Sequence, residues 1–546
     1  MQLLLYASDR VASAVLADAL ERLGLSFAVV GSPSDLPLPS LLLVSAPHLD
    51  EPAWGEVTSY LDSGGRVAFL QPEAHALALL GEEEPLSYPF PYLKAEGAWA
   101  PFSHLQVLSY PRLVRQRQGE ALAYFCLDFS TTARRWRSSY PAVAYGSRGK
   151  GHWGVFLYDW ARSLLAFHQG QLYYASTGDF PDPLGDGRYR STHLIHKQVV
   201  PELREVPQAH CHELMLLHLL RTLCQELSPL PRLWPLPYPQ TTAMILSGDS
   251  DFLEGERIRQ ALDKMTAWRL PYTLFTMPED LRGLSCEEIA AFQANGADFG
   301  LHYYHGPTPS VAEMERGLAA DIAAFAEKSL RPLSARGHSC IWVGWDEQAR
   351  LLASAGFQVS SNFLGRLAYS NGSGLPYRFL SRAGEPIGLW ELAMFTGDDV
   401  TLIDKWSLPP LTAEAALECT LAALRLSARL YYQPLTFCFH PHYFTGTEPA
   451  TTPWLEGLAA FSREGGCAAF NVGQWLAFWR ARAQVRLAEE VDGEKVRLRL
   501  HSPIEGLGIA LPKQWAGKDY RGTGLKLVGT GEVLLEANGA MEVFYG

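Results

Sequence analysis

The first seventy residues alternate between short apolar runs and stretches with helical periodicity. Residues 3–6, 27–30, 41–45 and 67–70 read as strands; residues 11–23, stopped by Gly24, and 52–61, closed by Ser63-Gly64-Gly65, read as helices. Apolar strands alternating with amphipathic helices mean a parallel sheet covered on both faces. A doubly wound, flavodoxin-like α/β domain over 1–235 is therefore expected. Within it, residues 149–170 predict a hairpin-like strand followed by a helix that packs back. Five prolines then fall in SPLPRLWPLPYPQ, residues 228–240, a semi-rigid connector that marks a boundary. A second βα series follows, with strands at 243–246, 272–276, 298–301, 333–336, 357–361 and 435–440 and helical patterns such as 311–328 and 413–428 between them. This predicts a distorted (β/α) barrel over 241–480. After about residue 484 the pattern turns to strands with Asp492-Gly493 and Asn538-Gly539 turns, a small antiparallel β domain over 484–546.

Composition narrows the function classes. A chain of 546 residues, 47% hydrophobic and 19% charged, is globular rather than disordered and divides into two to four domains. A formal charge of −12 with no Lys/Arg cluster argues against a nucleic-acid partner. No segment reaches the roughly 18 consecutive apolar residues of a membrane span. The N-terminus reads as strand and helix rather than an export signal, so a cytoplasmic location is expected. The eight cysteines are scattered without a CxxC pair, as expected of reduced, buried thiols. Fifteen tryptophans within 12% aromatic residues serve either core packing or stacking on sugar faces.

The candidate chemistry is concentrated at strand ends in the second series: LSGDSDF, GLHYYHGP, ARGHSCIW and FCFHPHYF. Asp249 and Asp251 are two apart on an extended segment, so both carboxylates can face one pocket, one as metal ligand and one as general base; the bland alternative is helix capping. His302 and His305 lie on one face if a helical turn begins there, and on opposite sides if the strand continues. Arg336 is placed to hold a base carboxylate ionised, and His338 is a further imidazole. His440 or His442, paired with a carboxylate such as Asp398 or Asp399, would be protonated near neutral pH as a general acid. His210-Cys211-His212 falls in a helical stretch where i and i+2 diverge, so no metal is expected there.

Taken in order, D-x-D, H-x-x-H, R-x-H and F-H-P resemble the polysaccharide deacetylase family (carbohydrate esterase family four, NodB-like), over roughly 241–480. The resemblance implies Asp249 as base, Asp251, His302 and His305 as ligands of a divalent metal, Arg336 as the tether of the base and His440 as the group assisting product departure. It implies zinc, with cobalt, nickel or iron as alternatives, and removal of acetyl groups from an N- or O-acetylated carbohydrate. The family's histidines are usually four apart and its arginine motif continues to proline, so His338 or His442 stands as an alternative ligand. The competing class is a non-catalytic carbohydrate- or partner-binding protein with a degenerate barrel. The N-terminal region resembles the glutamine-amidotransferase-like fold, also found as a trimerisation-type domain of glycosidases, through its strand–helix rhythm and the GKG…YDWARS segment. Cys126, in AYFCLDF, lacks the glycine elbow of an amidotransferase nucleophile. Packing, homo-oligomerisation or ligand binding is expected of that domain instead.

Overall fold

The computed structural model describes the chain except residues 35, 72, 86–90, 96–103, 128–136, 172–186, 196–198, 404–408, 447–448, 493–494, 502–503, 514–525, 529–531, 538–540 and 544–546. Its architecture is mixed α/β, as the hydrophobic pattern predicts. In the first sheet the strands Ala28–Val29, Gln2–Ala7, Ser40–Ser45, Arg66–Phe69 and Gly151–Phe156 lie side by side and parallel. Counted along the chain, that is the order 2-1-3-4-5 of doubly wound flavodoxin-like sheets. The sheet continues antiparallel through Arg137–Arg148, Glu120–Cys126, Tyr92–Ala95 and Leu105–Gln106. Its central strands are apolar on both faces because helices cover both: Leu41, Leu42 and Leu43 are fully buried.

The second series forms a parallel sheet in the order Pro386–Glu391, Val359–Ser360, Ser334–Gly337, Ala297–Tyr303, Tyr272–Thr276, Ala243–Asp249, Pro434–Cys438 and Thr396–Gly397. Tyr377–Leu380 adds an antiparallel edge at one end. The result is a distorted (β/α) barrel, and the strand C-termini gather on one side, the side where such folds carry their sites. The last part of the chain is antiparallel β, with Arg486–Asp492 paired to Lys495–His501 and Gly508–Pro512 paired to Glu532–Glu536. Asn538-Gly539 and Gly493 lie outside the described residues.

The proline-rich segment is a packed strap. Arg232-Leu233 pairs with Ile509 and Ala510, Trp234 is fully buried, and Arg232 makes a bidentate ion pair with Glu532 at 2.8 and 2.9 Å. The N-terminal α/β part is likewise joined to the barrel through buried polar contacts. Gln169 exchanges hydrogen bonds with the backbone of Leu380 at 2.8 and 2.9 Å, and His210 Nε2 lies 2.7 Å from the Tyr431 carbonyl. His212 bridges the Tyr158 hydroxyl and the Gln106 carbonyl. Both histidines are thus occupied as internal hydrogen-bonding groups, and burial pushes His212 down to about 4.

Candidate metal and catalytic centre

Asp249 ends its strand, and the preceding Gly248 is required there: a Cβ would lie 1.7 Å from the Phe439 carbonyl oxygen and 2.0 Å from the Tyr272 hydroxyl. Beyond the strand the backbone enters the left-handed region at Asp251 (φ 46°) and Phe252 (φ 65°), and again at Ser339 (57°) and Cys340 (55°). Non-glycine residues adopt this conformation rarely and at a cost. One such pair includes Asp251 itself and the other follows His338 directly.

The cluster they form is tight. Asp251 Oδ1 lies 3.1 Å from His302 Nε2 and 3.0 Å from His338 Nδ1, and the two imidazole nitrogens are 3.3 Å apart. His302, fully buried, has its other nitrogen 3.1 Å from the Arg336 carbonyl, which can only accept. Nδ1 therefore carries the proton, and in the neutral ring Nε2 presents a lone pair to a carboxylate oxygen and a second imidazole. Such convergence needs a positive centre. Three ligands at about 2.1 Å from one cation stand about 3.0–3.4 Å apart, so this donor set fits a divalent metal. The carbonyl holding Nδ1–H is the outer partner that metal-bound histidines characteristically have.

His305 is not part of this cluster. The strand runs through Tyr303 and no helical turn follows it, so His302 and His305 do not come to share a face. His305 stacks on Tyr303 with ring centroids 5.9 Å apart, and its Nε2 lies 3.3 Å from Asp321 Oδ2. Burial lowers the His305 pKa and raises Asp321 to about 7. His338 occupies the place that the H-x-x-H reading gave to His305.

Beside the cluster, Asp249 Oδ1 accepts from Arg336 Nη1 at 2.7 Å, while its Oδ2 faces inward, 4.0 Å from His302 Nε2 and 3.9 Å from His440 Nε2. The Arg336 guanidinium is fixed on every side: Nε donates to the Ser361 carbonyl, Nη2 to the Ser247 and Ser361 hydroxyls, and the group lies 4.1 Å over the Phe275 ring. Burial alone would raise Asp249, but Arg336, with His302 and His440, holds its carboxyl below the usual range. Breaking a buried pair strands a charge at about 3–5 kcal/mol. Arg336→Met is accordingly expected to lower the thermal unfolding midpoint markedly, and the Asp249→Asn, Arg336→Met double variant to recover much of that loss in the same calorimetric scan.

Ser361 donates its hydroxyl to the Leu392 carbonyl at 2.9 Å, and Glu391 accepts from the neighbouring Asn362 and Phe363 amides at 2.7 and 2.9 Å. Nothing in the local sequence around Arg336 announces these partners. They arrive from strands 25 to 55 positions further on.

His440 Nδ1 lies 2.6 Å from Asp398 Oδ1, and its amide donates to Asp398 Oδ2 at 2.9 Å. Its Nε2 points into the site, 3.8 Å from Asp251 Oδ2. Burial pulls the imidazole pKa down, but the Asp398 and Asp399 carboxylates outweigh it and raise His440 to about 10. The ring is protonated at neutral pH, and a reaction needing that proton fades as pH rises through the His440 pKa. Asp398→Asn removes the raising charge, so the alkaline limb of kcat/KM should move to lower pH, as a stopped-time pH profile of the two proteins would show. Asp399 instead accepts the Val400 amide at 2.8 Å. Among the described residues two other groups could also hold a metal, Asp249–Cys438–His440 and Asp398–Asp399–His440. Each relies on His440, whose Nδ1 is committed to Asp398, and burial pushes the Cys438 thiol well above its ordinary value. The Asp251–His302–His338 set is the better site.

Asp249, Asp251, His338, Cys438 and His440 line a cavity of about 530 Å³. Phe252 (61% exposed) and Tyr304 (41%) flank its His338 edge, with ring centroids 6.0 and 5.2 Å from the imidazole. Tyr303, Trp342 and Trp345, the other aromatic residues in these motifs, are buried and pack the core. The sequence did not foretell that the N-terminal part also walls the cavity, through Arg190, His193, Val199 and Arg204.

No protein-family model matches the chain, and no curated protein matches it in sequence. Among solved structures it is similar to Agd3, described as a novel carbohydrate deacetylase, over 100% of this chain and 98% of that one, at 9% identity and a TM-score of 0.42. It is similar over 46% of its length to a putative polysaccharide deacetylase from Mycobacterium smegmatis (94% of that chain, 18% identity, TM-score 0.37). A third likeness is BA3943 of Bacillus anthracis, a CE4 family pseudoenzyme (46% of this chain, 70% of that one, 13% identity, TM-score 0.29).

Proposed function

We propose that the protein is a metal-dependent hydrolase that removes acetyl groups from an acetylated carbohydrate, with an amide-linked acetyl as its substrate. The observation that carries this reading is the convergence, in one cavity, of a three-donor cation site, an inward carboxylate oxygen anchored by a buried arginine, and a protonated imidazole. Asp251, His302 and His338 would hold the metal. A divalent cation there supplies Lewis-acid polarisation of the acyl carbonyl and acidifies water.

The chain's own groups perform the proton transfers. Asp249 Oδ2, kept ionised by Arg336, takes a proton from the attacking water as its oxygen bonds to the acetamide carbon. As the C–N bond breaks, His440 Nε2–H gives its proton to the departing nitrogen, and Asp398 holds the ring in position for that transfer. Acetate and a free amino sugar result, with one water consumed. Phe252 and Tyr304 offer exposed ring faces at the mouth, suited to the apolar face of a sugar.

The test is acetate release from N-acetylglucosamine oligomers by the purified chain. Release is expected with stoichiometric metal, to vanish after chelation, and to return on adding zinc or cobalt. Metal-independent release, or none from any acetylated sugar with the site loaded, sinks the proposal and favours a binding protein.

A further inference from the structure

We infer that the ligand of this cavity is anionic: a carboxylate or phosphate on or next to the acetylated sugar is held by Arg190, Arg204 and Arg366. The inference rests on the deacetylase reading for the sugar, but not for the charge. The chain carries a formal charge of −12, yet the cavity lining away from the catalytic residues is basic. Of the acids in that lining, Asp249 is paired with Arg336, and Asp251 lies against His302 and His338. Asp399 accepts a backbone amide, and Glu205 is the remaining acid in the lining, beside Arg204 and Arg366.

The three arginines reach the cavity from separate segments. Arg190 is 6% exposed, forms an isolated bridge with Ile341, and also lines an adjoining cavity of about 270 Å³. Arg204 is exposed, and its carbonyl accepts the Tyr369 amide at 2.9 Å, tying its turn to the barrel loop that bears Arg366. Arg366 donates from Nη2 to the Pro409 carbonyl, while its Nε is buried and makes no hydrogen bond among the described residues. A buried guanidinium donor left without an acceptor is costly. Its planar fork matches a carboxylate or phosphate edge, which would supply that acceptor. The second cavity, sharing Arg190 and His193 with the first, gives a charged neighbouring unit room beside the acetylated one.

Calorimetric titration of the full, metal-loaded chain tests this with matched probes: chitotetraose against a hyaluronan tetrasaccharide, and N-acetylglucosamine against its 6-phosphate. An acidic probe is expected to bind at least tenfold tighter than its neutral counterpart at low salt, with the difference shrinking as salt screens the charges. Arg204→Gln with Arg366→Gln should abolish the preference without changing metal content. Because Arg204 is exposed, its single substitution reads the same loss should the double variant be unstable. Preference for the carboxylate probe alone or the phosphate probe alone identifies which anion is meant, and either supports the inference. Equal affinity for neutral and acidic probes overturns it, as does an acidic preference that survives both substitutions. Acidic binding without acetate release from any probe would instead defeat the deacetylase reading and leave the anion site standing.

Discussion

His338→Ala should empty the metal site and cut acetate release on the order of a thousandfold, while His305→Ala leaves both within a few-fold of the parent. The magnitude follows from the several kcal/mol of charge stabilisation that a catalytic cation supplies, with each 1.36 kcal/mol worth a factor of ten. Removing one of three protein donors also leaves Asp251 and His302 facing each other with a partner lost from a site that is already only partly closed by protein. His305, by contrast, lies against Asp321 and Tyr303, beyond the end of the strand. Its removal loosens a local stack and nothing in the cavity. Metal content by atomic absorption after gel filtration, read beside acetate release, decides the matter. Metal lost from His305→Ala and kept in His338→Ala would reverse the assignment.

The contrast between those two histidines shows what the chain displays openly and what it conceals. Asp249, Asp251, His302, Arg336 and His440 are legible as a set because each sits at the end of an apolar run, and a parallel sheet brings such ends to one side. The βα rhythm behind that set is local, recorded in hydrophobic period and glycine stops, which is why the α/β architecture could be read as well. Whether His302 and His305 share a face depends on whether the strand stops at Gly300 or runs to Tyr303, and that is not recorded in GLHYYHGP. His338 lies just past the end of its strand, and the left-handed backbone of Ser339 and Cys340 that follows it is a conformation that neither residue type announces. The partners of Arg336 and the arginines of the cavity wall are hidden more deeply. They depend on which distant segments pack together, as Ser361 does with Leu392 and Arg204 with Tyr369.

Asp249→Asn is expected to reduce kcat by about a hundredfold to ten-thousandfold, the usual contribution of a positioned acid–base group, with metal still bound. The substitution is nearly isosteric and keeps an oxygen for Arg336 Nη1, so the buried guanidinium retains an acceptor there and its other contacts to Ser247 and Ser361. What disappears is the basic Oδ2 that faces the cavity between His302 and His440. Substrate affinity should change little, because the amide occupies the same volume, so the loss falls on kcat rather than KM. The same change removes one of the carboxylates that raise the His440 pKa, so whatever activity remains should fail at a lower pH than in the parent. A variant that kept full kcat would move the base elsewhere in the site. One that lost kcat and metal together would make Asp249 a ligand instead. Measuring metal content, kcat and the alkaline limb on one preparation separates these outcomes, since only a base adjacent to the metal, and not bonded to it, moves the first not at all and the other two together.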